Sequence, residues 1–278
     1  MRELDESYAY CTRVARARAK NFYYSFLLLS AQQRKAMCAI YAFMRRCDDL
    51  SDEPGATRAA LENWRGELET ALAGRFSGHP VWPAFHHTVR RFGIPHQYFR
   101  EMIDGVVSDL DPRRFETFSA LYRYCYQVAS VVGLTTIHIF GFDTPSALPL
   151  AEKCGVAFQL TNILRDIRED CERGRIYLPC EDLERFGVTA RDLAAGNRTQ
   201  GFLELMRFEA ARARAYYRDS APLLDLIHPR SRPSLQALIA IYSRLLERIE
   251  QADYDVFTRR VRLSSFEKSW ILIRALLR

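Results

Sequence analysis

From Ala147 to Asp170 the chain repeats its apolar residues at helical spacing, and the middle of that stretch, Cys154-Gly155-Val156-Ala157-Phe158-Gln159-Leu160-Thr161, carries no charge. A run of this kind belongs in an interior. The same helix bears Gln159, Asn162, Asp166 and Asp170 at spacings of three, four and four, which stacks them in one stripe on one face. Any fold that accepts this helix must therefore enclose a polar interior with two carboxylates a turn apart in it. A second stripe has the same design: Tyr41, Arg45, Asp48 and Asp52 are spaced four, three and four. Its acids fall at the end of a helical pattern, just before Glu53-Pro54-Gly55, where each opposes the helix dipole at a cost of about 0.3–1 kcal/mol. Acids placed where stability disfavours them need another reason, and removing one is expected to relieve like-charge repulsion.

Carboxylates at i and i+4 are close enough to share divalent cations. Magnesium takes few protein carboxylates and fills its octahedron with water and phosphate oxygens, which suits two acidic faces closing on a diphosphate. Arginine binds phosphate oxygens in bidentate fashion, so Arg45, Arg165 and Arg175, with Tyr177 beside them, point to a polyanionic ligand rather than a bare metal site. The bland alternative makes both clusters solvated helix faces and pairs Arg45 and Arg165 with acids on their own helices.

The rest of the chain extends the helical reading. Apolar residues recur at helical spacing through Leu4 to Ala19, Gln32 to Asp52, Ala59 to Ala73, Pro95 to Leu110, Phe115 to Phe140, Gly201 to Ile227, Ser234 to Gln251 and Ser264 to Leu277. No sustained alternation argues for a sheet. Pro54-Gly55, Ser77-Gly78-His79-Pro80, Gly93-Ile94-Pro95, Thr144-Pro145 and His228-Pro229 fall between the patterns, and none of these breaks is long enough for a flexible interdomain linker. At 278 residues and 48% hydrophobic, the expectation is one all-α domain over residues 1–278. The charge-free run from Tyr124 to Phe142 nears membrane length, but Gln127, Ser130, Gly133, Thr135, Thr136, His138 and Gly141 make it a buried helix. Its small residues leave room for a long apolar ligand, so it is a candidate pocket wall.

Seven cysteines without a CxxC pair, and an amino terminus charged from Arg2 onward with no signal peptide, lead us to expect a reducing, cytoplasmic setting with the cysteines in the core. A net charge of +6 serves phosphorylated substrates or anionic lipid, whereas basic residues scattered along the chain, without a recognition motif, argue against nucleic acid. At the carboxy-terminal end Phe266, Trp270, Ile273 and Leu277 share one helix face, with Lys268, Arg274 and Arg278 as positive charge. This is either a terminal helix packed on the core or a basic amphipathic surface for peripheral contact with the inner face of a membrane.

Several segments together resemble the head-to-head prenyl transferases, the family of squalene, dehydrosqualene, phytoene and presqualene diphosphate synthases. They are Lys20-Asn21-Phe22-Tyr23-Tyr24-Ser25-Phe26, Ala39 to Asp49, Tyr124 to Gly133, Gln159 to Asp170, and Arg173-Gly174-Arg175-Ile176-Tyr177-Leu178-Pro179. The resemblance implies an isoprenoid synthase fold, a single helical bundle around a central cavity with the two aspartate clusters facing each other across its mouth. It implies magnesium, with manganese as a substitute, at Asp48, Asp52, Asn162, Asp166 and Asp170. Arg18, Lys20, Asn21, Tyr41, Arg45, Gln159, Asn162, Arg165, Arg175, Tyr177 and Tyr242 fall on substrate-binding positions, and Tyr41, Arg45, Tyr124 and Tyr242 on catalytic ones. Asn21 departs from the serine that many members carry.

Within the family, Phe22 to Phe26, Val128 to Leu134 and the short carboxy terminus are most similar to bacterial presqualene diphosphate synthases of the hopanoid-type squalene route. The resemblance thus implies condensation of two farnesyl diphosphates, with NADPH not expected, and downstream squalene-pathway enzymes as partners. Squalene, dehydrosqualene, hydroxysqualene or phytoene is the alternative product, and a noncatalytic assembly role, as in relatives with eroded acidic motifs, is the remote one.

Overall fold

The computed structural model of this chain describes residues 2–19, 22–52, 57–76, 78–111 and 114–277, without the side chain of Asp52. Helix α1 (Arg2–Arg18) leads through the short α2 (Phe22–Phe26) into α3 (Ala31–Asp52), followed by α4 (Arg58–Leu72), α5 (Trp82–Phe92) and α6 (His96–Ser108). Then come α7 (Phe118–Cys125), a π-helical turn (Tyr126–Ser130), α8 (Val131–Phe140) and the long α9 (Ala147–Glu172). The chain closes with α10 (Cys180–Arg185), α11 (Ala190–Ala195), α12 (Gln200–Ser220), α13 (Leu223–Leu226), α14 (Arg232–Gln251) and α15 (Ser265–Leu276). Among the described residues there is no strand, only an isolated antiparallel bridge between Phe142 and Ile227.

The boundaries have local causes. Thr57, Thr117, Thr189, Thr199 and Ser264 each turn a side-chain oxygen onto a backbone N–H in the first turn of the helix that follows. Two long periodic stretches break where the backbone demands it. Pro222 has no N–H to continue α12, so Gly201 to Ile227 divides into α12 and α13. Phe115 to Phe140 is interrupted by the π turn, which carries an extra residue in its loop of hydrogen bonds. Spacing alone passed over α2, α5, α10 and α11. Of these, α5 had a signal, since Trp82, Phe85 and Val89 form its buried face, whereas α2, α10 and α11 are too short to show a period.

Two large apolar clusters form most of the core, and α9 belongs to both; Ile241, Tyr242 and Leu263 form a third, small one. Its amino-terminal half, with Ala147, Ala151 and Cys154, joins Phe43, Phe85 and Phe99 of α3, α5 and α6. The other half, with Val156, Leu160, Leu164 and Ile167, joins Phe202, Met206 and Leu246 of α12 and α14. Five cysteines are buried as expected, while Cys171 and Cys180 are only partly covered.

One buried charged group fixes α10 against α12. Arg212 donates to Asp182 at 2.8 Å and to Glu209 at 2.6 Å, and its guanidinium lies 4.2 Å from the Phe118 ring centroid. Burial pushes the Glu209 carboxyl up to about 7; Arg212 pulls it down and the neighbouring Asp182 carboxylate pushes it up again. A carboxyl held above its ordinary value of 4.5 binds its proton more tightly in the folded state. Its stabilising contribution is therefore complete below that value and is lost as pH rises through about 7. Glu209→Gln keeps an acceptor for Arg212 and removes the titration, so the melting temperature of the variant relative to the parent should rise between pH 5 and pH 8. An unchanged difference across that range would contradict the assignment.

Candidate active site

The two stripes meet in one cavity of about 520 Å³. Helix α3 contributes Tyr41, Arg45 and Asp48, and α9 contributes Gln159, Asn162, Arg165, Asp166 and Asp170. Tyr124 enters from α7, Tyr242 from α14, and Arg173, Arg175 and Tyr177 from the segment after α9. Polarity runs in one direction along both long helices. On α3 the lining passes from Met37 and Ile40 to Arg45 and Asp48; on α9 it passes from Ala151, Cys154 and Phe158 to Asp166 and Asp170. At 1.5 Å per residue, Ala151 to Asp170 spans roughly 28 Å, so a charged end leads into a long apolar chamber. Val128, Ala129, Val132, Gly133 and Thr136 form part of its wall, as the small residues of that stretch led us to expect.

Both arginines of the stripes are paired with acids nearby. Arg45 is ion-paired to Asp49 on its own helix, and Arg18 of α1 reaches the same carboxylate at 3.2 Å. Arg165 donates through Nε to Asp166 at 2.7 Å, and Arg260 approaches the same carboxylate at 2.8 Å and Glu169 at 3.4 Å. The bland pairing is thus present; Arg45, Arg165 and Asp166 line the cavity, whereas Asp49 does not. Arg18 is not among the side chains lining that cavity. Lys20, Asn21 and the side chain of Asp52 lie outside the described residues.

The carboxylates of α9 differ sharply. Burial pushes Asp166 up, but hydrogen bonding and charge from Arg165 and Arg260 outweigh it and hold the group below its ordinary range. Removal of Asp166 would relieve its repulsion of Asp170 and Glu169, as expected, but it would also leave Arg165 without its hydrogen-bond partner. Asp170 behaves oppositely, pushed up to about 7 by burial and by the charge of Asp166, with Arg175 and Arg173 opposing.

Among the described residues no three carboxylate, histidine or cysteine side chains converge into a ready-made metal centre. The donor set nonetheless fits a hard cation. Asn162 Oδ1 is buried with no hydrogen-bond partner, and a cation beside Asp166 and Asp170 would relieve the cost of charging Asp170. Oxygen ligands completed by water or phosphate are what magnesium accepts.

Four tyrosines face the chamber. Burial pushes Tyr41 and Tyr242 up to about 12, with Arg45 and Arg165 respectively opposing the shift. Tyr242 stacks on Phe158 at 4.3 Å between ring centroids. Tyr124 and Tyr177 stack at 5.1 Å, and both donate to Asp109, to Oδ2 and Oδ1 respectively, at 2.9 Å. Asp109 was not foreseen, although it is another acid closing a helical pattern, directly after α6. Arg260 was not foreseen either, since it comes from the irregular segment before α15 and no spacing marks it.

The squalene/phytoene synthase family model matches residues 5–267. A phytoene synthase from Arthrospira platensis is 38% identical across 98% of this chain and 93% of its own length. A 15-cis-phytoene synthase from Synechocystis is 39% identical across 99% of this chain and 86% of its own. The chain spans 65% of a chloroplast phytoene synthase from Arabidopsis thaliana, at 38% identity. Among solved structures, a dehydrosqualene synthase superposes with a TM-score of 0.93 at 32% identity, covering 99% of this chain and 97% of that one. A squalene synthase from Alicyclobacillus acidocaldarius gives 0.85 at 30% identity, covering 92% and 97%. The fold and site define an isoprenoid synthase of the prenyltransferase kind. The chain belongs to the squalene/phytoene synthase family.

Because one carboxylate orients two stacked phenols, Asp109→Asn should disturb both rings while sparing the bulk of the core. Prenyltransferase turnover is expected to fall about 10²-fold, with little change in substrate KM and a cooperative unfolding transition retained. Turnover within twofold of the parent would show that the two phenols do not depend on Asp109.

Proposed function

We propose that the protein joins two farnesyl diphosphates head to head to give presqualene diphosphate, releasing one diphosphate. The observation that supports this most is the single chamber with acids and guanidiniums at one end and aromatic and aliphatic side chains along its length. A molecule with a diphosphate head and a prenyl tail has the same two-part character.

In this reading Asp48, Asp52, Asn162, Asp166 and Asp170 hold magnesium, which when bound supplies charge neutralisation for the leaving diphosphate. Arg45, Arg165 and Arg175 orient diphosphate oxygens. The allylic carbon–oxygen bond of the donor breaks and its electron pair leaves with the diphosphate. The acceptor's 2,3 double bond then forms the new carbon–carbon bond, and proton loss closes the cyclopropane. The chamber excludes the water that would trap the cation, while the rings of Tyr41, Tyr124 and Tyr242 offer it polarisable faces. Burial keeps these phenols protonated, so the released diphosphate is the base this reading assigns.

A second reading has its own support, because the curated relatives at 38–39% identity are named phytoene synthases. Here the same residues would act on two geranylgeranyl diphosphates, and the cyclopropyl intermediate would ionise again.

Incubation with farnesyl diphosphate and magnesium alone should yield presqualene diphosphate by product mass, with added NADPH diverting none of it to squalene. Squalene appearing only with NADPH, or a forty-carbon product formed at a higher kcat/KM from geranylgeranyl diphosphate, would replace this reading with its alternative. Asp48→Ala and Asp166→Ala should each abolish turnover, and the second should also lower the melting temperature, because it strands Arg165. Near-normal product formation by both in magnesium would remove the metal assignment.

A further inference from the structure

Of the seven large apolar side chains that the described residues expose, five belong to the last helix and its cap: Phe266, Trp270, Ile273, Leu276 and Leu277, at 80%, 51%, 48%, 62% and 81%. At 100° per residue, Phe266, Trp270, Ile273 and Leu277 fall within about 60° of one another. Ala275, the buried residue of α15, lies about 180° away. The helix is therefore docked by its narrow side, against α14 and α2, and its apolar stripe points outward. A terminal helix packed on the core would have the reverse orientation.

The exposed charged residues from Thr258 to Leu277 are all basic. Arg259, Arg262 and Arg274 are exposed, and the Arg274 guanidinium sits 5.7 Å from the Trp270 ring centroid. The acid of α15, Glu267, is engaged by Arg248 at 2.6 Å and Arg244 at 3.6 Å, and it caps the helix at the Ser264 N–H. We infer that this face is a docking surface for an anionic lipid bilayer, with the aromatic and aliphatic stripe entering the headgroup boundary and the arginines meeting lipid phosphates. A second copy of the chain is the less suitable occupant, because a two-fold contact through the stripe would bring the flanking arginines of the two copies together. The surface does not depend on which product the cavity makes.

Trp270 supplies a local reporter, since Trp64 and Trp82 are buried at 3% and 1%. Vesicles of equal parts phosphatidylcholine and phosphatidylglycerol, at low salt, should shift the tryptophan emission to the blue and shield it from acrylamide. Pure phosphatidylcholine vesicles should do neither. Arg262→Gln with Arg274→Gln should weaken vesicle affinity roughly tenfold or more, and Phe266→Ser with Leu277→Ser should abolish the shift while Trp270 remains. Circular dichroism and prenyltransferase turnover without lipid should be unchanged in both variants. The inference is overturned by absence of a shift on anionic vesicles, by equal binding to neutral ones, or by a dimer that shields Trp270 without lipid.

Discussion

Helix α9 passes so close to the π turn and the first turn of α8 that no side chain fits between them: a Cβ on Gly155 would lie 2.6 Å from the Ser130 Cα of the π turn, and one on Gly133 of α8 would lie 3.0 Å from the Ala151 carbonyl oxygen. This backbone contact lets one helix run between two apolar clusters and belong to both. It also fixes the rotation of α9 about its axis. With the Gly155 side of the helix pressed onto the π turn, the stripe of Gln159, Asn162, Asp166 and Asp170 lies along the cavity. A larger residue at either glycine would push the helix outward and carry the acids with it, so the position of the charged groups is set by packing about two to four turns away.

The acids are tolerable there because guanidinium groups from several parts of the chain converge on them. Asp166 is held by a neighbour on its own helix and by Arg260 from the segment leading to α15, whereas Asp49 is shared by Arg45 and Arg18. Asp170 remains costly to charge. The site thus combines satisfied carboxylates, which keep the mouth of the cavity folded, with donors left short of compensation, Asp170 and Asn162 Oδ1, which a cation or its ligand would complete. Buried ion pairs contribute little net stability but are costly to break, and this makes the arrangement specific rather than strong.

Much of this was legible in the residues because the informative distances lie within single helices. Spacing of three and four places Tyr41, Arg45 and Asp48, or Asn162, Asp166 and Asp170, on one face before any tertiary contact is known. The long helices were legible for the same reason, whereas α10 and α11, at six residues each, hold too little sequence for a period. What escaped was whatever depends on two elements meeting. Asp109 matters because α7 and the segment after α9 bring two phenols to it, and Arg260 because its loop folds back over α9. Spacing also fixes which residues share a face without fixing where that face points, and at α15 the apolar stripe could be read from sequence while its exposure could not.

The same division explains why the substrate's chain length is harder to read than its head group. Recognition of a diphosphate needs charged groups at set intervals, and such intervals survive as a pattern in the sequence. The apolar end of the chamber is built from Phe22, Phe26, Met37, Phe158, Leu235 and Leu238, contributed by α2, α3, α9 and α14. Its depth depends on the rotamers and mutual approach of side chains that are interchangeable as hydrophobic residues but differ in volume. A methylene in such a pocket is worth only about 1–3 kcal/mol in discrimination. A few substitutions among those residues could therefore shift preference between fifteen- and twenty-carbon substrates while leaving every charged position intact, so relatives with different products can share both acidic stripes.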